Sequence, residues 1–590
     1  MKRRIVLTTL VTVLVISSLI IAGPASAVRE PQVTFWLTVL HNNDGESDLI
    51  DLGTGLEDFG GAARFKSVVD MLRAEAVTGP RAPDQRSGKR GVITVSSGDN
   101  FLPGPEFNAS LDKGVPFYDT IAMDLIGYDA VAVGNHDFDF GPDVLADFIS
   151  GYERTSPTYL SANLVFDEEA RLLEHMMMGR IAKSTVIKER GELIGVIGAT
   201  TPMLRYISSP RNVGIIDDVA AVVQAEVDKL ERRKVDKIVL ISHLQTIEED
   251  IELVSYLDGV DVVVAGGGDE VLANPGDLLI PGHESVVYGP YPMVATASDG
   301  RSVPVVTTAG SYAYVGRLVV GFDRHGNVVA TGHNSGPVRV AGGDNPDAVK
   351  PDPMVKAMVV DPVVAALAAL AENELAVSEV PLNGLRTDVR AVETNLGNLM
   401  ADSILWQATQ LAPAFGVPAP DVALQNGGGI RNANVIPAGP VTELDTFAIA
   451  PFPNFVSVVS GIPRDQFKLI LENAVSRVEF GDGRFAQVAG FSFVWDAAQP
   501  AGSRVREAML DDGTILVAGG AVVAGDPLTI ATIDFLARGG DQYPYMDAPF
   551  KTIGVTYQQG LENYLVDGLG RQITAVDYPD GGEGRITRLN

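Results

Sequence analysis

The chain contains no cysteine among its 590 residues. This absence excludes a disulfide framework, a thiolate metal site and a lipid-modified cysteine. Basic residues are also scarce, because 45 Lys and Arg stand against 75 Asp and Glu and give a formal net charge of -30. A surface of that sign repels polyanions, so no nucleic-acid polymer is expected as a partner. A small phosphorylated molecule is still compatible with the sequence if arginines or a metal provide a local positive field.

Long hydrophobic runs are missing except at the N-terminus. The basic "MKRR" precedes an apolar run from residue 5 to about residue 22 and then "GPASA". This order predicts a secretory signal peptide over residues 1-27, with Val28 as the first mature residue. An uncleaved anchor is the alternative, because the run is just long enough to span a bilayer. We expect an exported protein, periplasmic or extracellular, without stable membrane association after cleavage.

Short apolar, β-branched runs alternate with amphipathic segments from residue 33 to about residue 340. Examples are "TFWLTVL" (34-40), "GVITVSS" (91-97), "AVAVG" (130-134), "LIGVIGA" (193-199), "KIVLIS" (237-242) and "VDVVVAG" (260-266). Runs of this kind suit strands buried on both faces, and the intervening patterns suit crossover helices. The sequence therefore predicts an α/β layered domain whose ligands bind beyond the carboxyl ends of the strands.

A Gly-, Pro- and Asp-rich stretch at residues 336-357 precedes an alanine-rich helical segment. We place the domain boundary there. The prediction is a first domain over 28-340, a linker and connecting helix over 341-378, and an α+β second domain over 379-590.

Acidic, amide and imidazole side chains follow five of the predicted strands. They are Asp44 with Glu46, Asp99, Asn135 with His136, His243, and Asp269 with Glu270. Taken singly, each residue is explained by a loop cap, a turn or a hydrogen bond between strand ends. Their occurrence after successive strands instead predicts two divalent cations bridged by one carboxylate, which we assign to Asp99.

At these residues the chain resembles the 5'-nucleotidase family of secreted metallophosphatases, which includes UDP-sugar hydrolase, ecto-5'-nucleotidase and 2',3'-cyclic phosphodiesterase types. "LTVLHNND", "SSGDN", "GNHDFDFG", "LSANL", "TTAGSYAYVGRL", "RAVETNLGN" and "NGGGIR" follow the family's order and spacing. The resemblance covers essentially the whole mature chain. It implies an N-terminal calcineurin-like four-layer α/β metallophosphoesterase domain, joined by a helix to a C-terminal α+β substrate-binding domain.

The resemblance implies metal ligands at Asp44, Asp99, Asn135 and His243, and a charge-stabilising pair at His136 and Asp139. Two positions depart from the family pattern. Glu46 stands where the family has a histidine, and in "GGGDE" Gly268 replaces a second-metal histidine while Glu270 replaces an amide or imidazole ligand. Asp269 or water would then complete the second site. A first site of Asp44, Glu46, Asp99 and Glu270 favours Mg²⁺, Mn²⁺ or Ca²⁺, with Zn²⁺ as the alternative.

Residues of the second domain are expected to bind the substrate. The glycine turn in "QNGGGIR" and its arginine suit phosphate, and the resemblance implies a second phosphate-binding arginine in "RAVETNLGN". Two phenylalanines match the rings that sandwich the base in the family, and an aspartate matches the ribose position. The expected substrate-binding residues are Arg390, Asn426, Gly428, Arg431, Phe452, Arg484, Phe535 and Asp541.

The predicted function is an exported hydrolase of phosphoric ester bonds that releases phosphate from nucleotides by metal-activated water. A 5'-nucleotidase is expected first, with UDP-sugars or nucleoside di- and triphosphates as further substrates. The alternatives are a 2',3'-cyclic-nucleotide phosphodiesterase with 3'-nucleotidase activity, and a catalytically weak nucleotide- or metal-binding surface protein.

Overall fold

The computed structural model of the protein describes residues 32-590 except residues 86 and 547. The predicted signal peptide lies outside the described residues.

The N-terminal half is built from short strands that alternate with helices. Its strands are β1 (Phe35–Asn42), β2 (Lys89–Ser96), β3 (Ala130–Ala132), β4 (Thr158–Leu160), β5 (Leu164–Val165), β6 (Ile181–Ala182), β7 (Ser184–Glu189), β8 (Glu192–Thr200), β9 (Gly214–Ile215), β10 (Ile238–His243), β11 (Val262–Val264), β12 (Val271–Leu272), β13 (Val287–Gly289), β14 (Met293–Thr296), β15 (Ser302–Val306), β16 (Tyr314–Phe322), β17 (Val328–Thr331) and β18 (Gly336–Arg339). Its helices are α1 (Ala62–Thr78), α2 (Pro105–Lys113), α3 (Tyr118–Ile126), α4 (Gly141–Ser150), α5 (Ala170–Met177), α6 (Leu204–Ile207), α7 (Val219–Arg232) and α8 (Ile247–Tyr256).

Two sheets pack face to face in this half. One has the order β17-β16-β1-β2-β3-β4-β6, with β18 also paired to β16, and the other has the order β14-β15-β11-β10-β8-β7. Alternate residues of β1, among them Leu37 and Val39, share one buried core with Val196 and Val239 of the second sheet. Helices α1, α3 and α4 bury their apolar faces in a separate core on the outer side of the first sheet. The predicted four-layer α/β fold is confirmed.

The strand register brings the carboxyl ends of several parallel strands to one edge. Asn42 of β1 lies opposite Ser96 of β2, and Ser96 lies opposite Val131 of β3. In the second sheet His243 ends β10 opposite Thr200 of β8. Loops that leave these strands therefore meet at a common edge, as expected for parallel α/β sheets.

A continuous helix over Pro353–Glu372 joins the two halves. It consists of α9 (Pro353–Val355), a π-helical turn (Lys356–Val360) and α10 (Asp361–Glu372). The Asp352 carboxylate caps its start by accepting from the backbone N–H of Val355 at 3.0 Å, which satisfies an otherwise unpaired donor. Contrary to the expectation that long hydrophobic runs are missing beyond the N-terminus, this helix is, among the described residues, the one whose length and apolar composition would suffice to cross a membrane. Val359 and Val363 of this helix pack into the core beside α1 and α3.

The C-terminal half is an α+β arrangement around a long helix. Its strands are β19 (Glu374–Ser378), β20 (Leu382–Asn383), β21 (Val422–Asn426), β22 (Val435–Ile436), β23 (Gly439–Thr442), β24 (Phe455–Ile462), β25 (Ala486–Ala489), β26 (Phe491–Asp496), β27 (Val505–Leu510), β28 (Ile515–Ala518), β29 (Ala521–Val522), β30 (Leu528–Ile533), β31 (Phe550–Thr556), β32 (Gln572–Ile573) and β33 (Ile586–Leu589). Its helices are α11 (Arg386–Val389), α12 (Asn395–Phe415), α13 (Glu443–Ile449), α14 (Arg464–Ala474), α15 (Asp534–Ala537) and α16 (Tyr557–Asn563).

The sheet with the order β25-β21-β30-β24-β31 carries α12 on its face. The Thr394 hydroxyl caps α12 by accepting from the Gly397 N–H at 2.9 Å, and the helix ends at Gly416 in the left-handed conformation, a common helix terminator. A second five-stranded sheet, β29-β28-β27-β26-β33, lies beyond it. The loops that leave β21 and β30 face the N-terminal half, and this positions the substrate-binding candidates.

Candidate active site and metal centre

Asp44, Asp99 and His243 form a buried cluster at the sheet edge. One ligand atom from each lies within 4.8 Å of the others, and His243 Nε2 is 2.9 Å from Asp99 Oδ2. His243 Nδ1 donates to the Ser97 carbonyl at 2.7 Å. This second bond orients the ring so that Nε2 faces Asp99, where it donates in the absence of an ion and could serve as a ligand when one is bound.

Close backbone packing shapes the two aspartate loops. Asp44 and Asp99 have φ of 49° and 51°, a left-handed conformation that Asp tolerates better than most side chains. The Asp99 carboxylate lies where a Cβ on Gly134 would be, so only glycine fits before Asn135. A Cβ on Gly45 would lie 3.0 Å from the Tyr312 ring, which accounts for the glycine of "DGE".

Asn135 lies against the same cluster. Its Oδ1 is 3.2 Å from His243 Nε2 and accepts from Gln245 Nε2 at 2.7 Å. The Asp44 carboxylate accepts from the Gly267 N–H at 3.0 Å. The cluster is therefore held by loops from both sheets.

Glu46 joins a second cluster with Asp99 and His136, again with ligand atoms within 4.8 Å of one another. Glu270 is oriented differently, because its Oε1 accepts from the Ile247 N–H at 3.1 Å at the start of α8. Its carboxylate occupies the space that a side chain at residue 268 would take. Asp269 is exposed. The structure thus brings Glu46, but not Glu270, into the carboxylate clusters.

Electrostatics in this cluster favour a bound cation. Burial raises the pKa of Asp44 to about 7 and that of Glu46 to about 8. Burial would also raise the pKa of Asp99, but the charges of His243 and His136 outweigh it and hold that pKa below its ordinary value. Crowded buried carboxylates beside imidazoles are a donor set that divalent cations fit. Asp44, Glu46, Asp99, Asn135 and His243 could hold such ions.

His136 and Asp139 form a close pair beside the clusters. The ring nitrogen Nδ1 of His136 lies 2.5 Å from Asp139 Oδ2. The backbone N–H of His136 donates to Asp99 Oδ1 at 2.7 Å. Burial opposes protonation of His136, but the carboxylates of Asp139 and Asp99 prevail and raise its pKa to about 9. A cationic imidazole at this position can stabilise negative charge that develops on a bound group.

Three arginines of the C-terminal half, Arg386, Arg390 and Arg431, line a cleft of about 530 Å³ together with His136 and Asp139 of the N-terminal half. The same arginines line a neighbouring cavity with Glu46. Burial and the neighbouring Arg431 lower the pKa of Arg386, and Asp269 and Glu46 across the cleft oppose that shift. Burial, Arg386 and Arg431 lower the pKa of Arg390 to about 9, and its buried Nε has no hydrogen-bond partner among the described residues. Crowded cations with an unused donor indicate an anion site.

The rest of the cleft suits a planar polar ligand. Phe452 and Phe535 are half-buried and line it. Asn426 Nδ2 donates to Asp541 Oδ2 at 2.6 Å, and burial raises the pKa of Asp541 to about 6. The predicted residues that line the same cleft are Asn135, His136, Asp139, Arg390, Asn426, Gly428, Arg431, Phe452, Phe535 and Asp541.

Arg484 is directed elsewhere. Its Nε donates to Asp482 at 3.0 Å and its backbone carbonyl accepts from Tyr543 at 2.7 Å. The guanidinium lies within hydrogen-bonding distance of Asn473 and Ser476. It therefore supports the wall behind Asp541 and is not among the residues that line the cleft.

The cleft residues that were not predicted from the sequence include Arg386, Gln245, Ser208 and Phe480. Arg386 had a usable signal, since it stands four residues before Arg390 and so shares a helix face with it. Gln245 follows His243 by two residues. Ser208 and Phe480 lie in loops without a spacing pattern, and no feature of the sequence marks them.

The chain is similar to known proteins over most of its length. Residues 374–548 match the family described as "5'-nucleotidase, C-terminal domain". The chain is 30% identical to the snake venom 5'-nucleotidase of Crotalus adamanteus over 480 residues, which cover 80% of this chain and 76% of the relative. It is 28% identical to the 5'-nucleotidase of Mus musculus over 543 residues, 89% of this chain and 87% of the relative. The crystal structure of a 5'-nucleotidase precursor from Thermus thermophilus superposes with a TM-score of 0.73 and 31% identity, covering 94% of this chain and 100% of that one.

Proposed function

Because the chain belongs to the 5'-nucleotidase family, whose members hydrolyse phosphoric ester bonds, we propose that it releases phosphate from nucleoside 5'-monophosphates. One observation carries the proposal. Three arginines of the C-terminal half line one cleft with Asn135, His136 and Asp139 of the N-terminal half, and two phenylalanines extend that cleft. The phosphate of a nucleotide would match the arginines, and its base would match the phenylalanines.

In this proposal each end of the substrate has its own set of residues. Arg386, Arg390 and Arg431 bind the phosphate by charge-assisted hydrogen bonds. Phe452 and Phe535 stack on the base, a contact that tolerates several bases because each has a π face. The Asp541 carboxylate, held by Asn426, accepts from ribose hydroxyls. The substrate then spans both halves, which we propose to divide near residues 341-378.

Hydrolysis proceeds with the phosphate held between the arginines and His136. His136 is protonated through Asp139, lies at the cleft and stabilises charge that develops on the phosphoryl oxygens. Two divalent cations, when bound, would supply Lewis-acid activation of water. Asp44, Glu46 and Asp99 would hold one, and Asp99, Asn135 and His243 the other. The carboxylate-rich first set favours Mg²⁺, Mn²⁺ or Ca²⁺ over Zn²⁺.

We also propose that the protein is exported to the periplasm or outside the cell, on the strength of the signal pattern at residues 1-27. Fractionation of expressing cells should recover a product that begins at Val28 outside the cytoplasm. Retention of residues 1-27 in a membrane fraction would favour the uncleaved anchor instead.

The function is tested by a phosphate-release panel on chelator-treated protein. Mg²⁺, Mn²⁺, Ca²⁺ and Zn²⁺ are added back singly, with AMP, UMP, ADP, ATP, UDP-glucose, 3'-AMP and 2',3'-cyclic AMP as substrates. We expect release from 5'-monophosphates that requires an oxygen-preferring cation. Turnover of 2',3'-cyclic AMP and 3'-AMP alone would favour the cyclic phosphodiesterase, and nucleotide binding without any turnover would favour a binding protein.

The variant His136→Ala belongs in the same panel. It should lose about a hundredfold in kcat, the lower end of what a positioned acid–base or charge-stabilising group supplies, while its metal content stays unchanged. His333→Ala, at an exposed histidine, is the matched control. Equal turnover of the two variants would remove His136 from the mechanism.

A further inference from the structure

Ser208 contacts the His136–Asp139 pair from a separate element. Its Oγ donates to Asp139 Oδ1 at 2.7 Å, while Asp139 Oδ2 holds His136 Nδ1 at 2.5 Å. Ser208 is only 7% exposed and Asp139 only 5% exposed. Both carboxylate oxygens of Asp139 are therefore engaged, each by one side chain.

The loop that carries Ser208 is anchored on both sides. Before it, the Ser208 N–H donates to the carbonyl of Leu204, the first residue of α6, at 3.1 Å. After it, Arg211 bonds Asp143 at 2.8 Å and Glu169 at 2.7 Å. Because the loop is anchored, the Ser208 hydroxyl can restrict the orientation of the Asp139 carboxylate. A hydroxyl on a mobile loop would move together with the carboxylate.

The same loop touches the C-terminal half. Helix α6 packs against the turn Gly540–Gln542, which carries Asp541, and an Arg538 nitrogen lies 3.5 Å from Ser209 Oγ. Ser208 thus lies where the catalytic pair, the cleft and the nucleoside-binding segment meet.

We propose that Ser208 is a positioning residue for catalysis, which fixes the plane of the Asp139 carboxylate and through it the ring of His136. The proposal rests on the proposed function. A carboxylate bonded through one oxygen can turn about its terminal torsion, which is broad and roughly two-fold. The second bond removes that freedom, and His136 stays directed at the phosphoryl position. Catalytic groups need placement within about half an ångström.

Ser208→Ala tests the proposal, with AMP as substrate and the best cation from the panel. We expect kcat to fall about tenfold, the effect of losing one hydrogen bond to a charged group, with KM within about twofold and metal content unchanged. Ser208→Thr keeps the hydroxyl and should restore most of the loss. If Ser208 contributed to stability alone, the variant would have a lower melting temperature but would not show a reduced kcat at a nearly constant KM.

Ser184→Ala is the matched control. The Ser184 hydroxyl also donates to a carboxylate at 2.7 Å, that of Glu226, but on edge strand β7 away from the cleft. It should leave kcat unchanged. If Ser184→Ala and Ser208→Ala lower kcat equally, the proposal is overturned.

A double-mutant cycle tests whether Ser208 acts through Asp139. In an Asp139→Asn background, Ser208→Ala should cost less than about twofold, because the carboxylate that it orients is gone. A full tenfold loss in that background would refute the route through Asp139. An active wild-type protein with an equally active Ser208→Ala variant would overturn this inference alone, whereas a wild-type protein inactive on every substrate would overturn the proposed function and this inference with it.

Discussion

At the residue scale, two glutamates stand where related enzymes are expected to have nitrogen or amide ligands, and they behave differently. Glu46 joins Asp99 and His136 in one cluster. Glu270 turns back to the start of α8 and fills the space beside Gly268. At residue 46 the proposed change replaces a nitrogen ligand by a carboxylate in the same cluster. At residue 270 the carboxylate instead fills the space that a side chain at residue 268 would occupy.

The different orientations of Glu46 and Glu270 predict which substitutions at residues 268 and 270 would increase the affinity for zinc. Gly268→His alone should bind zinc poorly, because the Glu270 carboxylate already occupies the volume that the ring needs. The double variant Gly268→His with Glu270→Gln should bind zinc at least about tenfold more tightly than the unmodified protein, since imidazole favours that ion. Calorimetric titration with Zn²⁺ and Mn²⁺ measures the change.

Glu270→Gln alone is the control for charge removal. A gain in zinc affinity as large in Glu270→Gln as in the double variant would show that the Glu270 charge, and not the missing imidazole, sets the preference.

At the scale of elements, one very short helix places two arginines at the cleft. Helix α11 has four residues, yet Arg386 at its start and Arg390 just beyond its end both reach the cleft. The spacing of four puts them on one face. Arg431 comes from the loop after β21 and lies over the Phe452 ring at 5.6 Å, so it lies between the proposed phosphate site and the proposed base site.

Arg386→Ala should therefore raise the KM for nucleotides and the inhibition constant for inorganic phosphate by about tenfold each, because one charge-assisted bond is lost. Arg386→Lys should recover part of the loss, since it keeps the charge without the forked donors. Arg232→Ala, at an exposed arginine on α7, is the control. Unchanged phosphate inhibition in Arg386→Ala would remove this residue from the anion site.

The strands were predictable because burial on both faces gives continuous apolar runs. The runs at 34-40, 193-199 and 237-242 correspond to β1, β8 and β10 within two residues at each end, and the predicted fold and family are confirmed. Once the strands were predicted, the loops that carry the proposed metal ligands could be located directly after them. Ser208 and the orientation of Glu270 could not be predicted, because tertiary contacts set both: two ion pairs anchor the loop of Ser208, and the conformation of "GGGDE" directs Glu270.

At the scale of the whole molecule, a net charge of -30 coexists with a cluster of acids and imidazoles buried at one sheet edge. Burial raises the pKa of Asp44 to about 7 and of Glu46 to about 8. Acids whose pKa is higher in the folded state stabilise the fold at low pH, and that contribution is lost as the pH rises from about 4 through those values. The pKa of His136 is raised from 6.5 to about 9. Its stabilising contribution is therefore also lost as the pH rises through that range.

The chelated protein should consequently melt at a lower temperature at pH 8.5 than at pH 5.5, by about 5 °C or more. A divalent cation binds the ionised carboxylates, so adding Mn²⁺ should raise the melting temperature more at pH 8.5 than at pH 5.5. Scanning calorimetry at both pH values measures this. Asp44→Asn should weaken both trends, and a melting temperature that rises with pH in the chelated protein would contradict the argument.

The position of the proposed ligands beyond the strand ends has an evolutionary consequence. Asp44, Asp99, Asn135 and His243 lie at or just past the ends of strands whose interiors form the core. Substitutions at these tips, such as Glu46 or Gly268, leave the sheet packing untouched. A change of ligand at these tips would then alter which ion is bound while the strand interiors keep their packing, although a side chain at residue 268 also requires a change at Glu270, whose carboxylate fills that space.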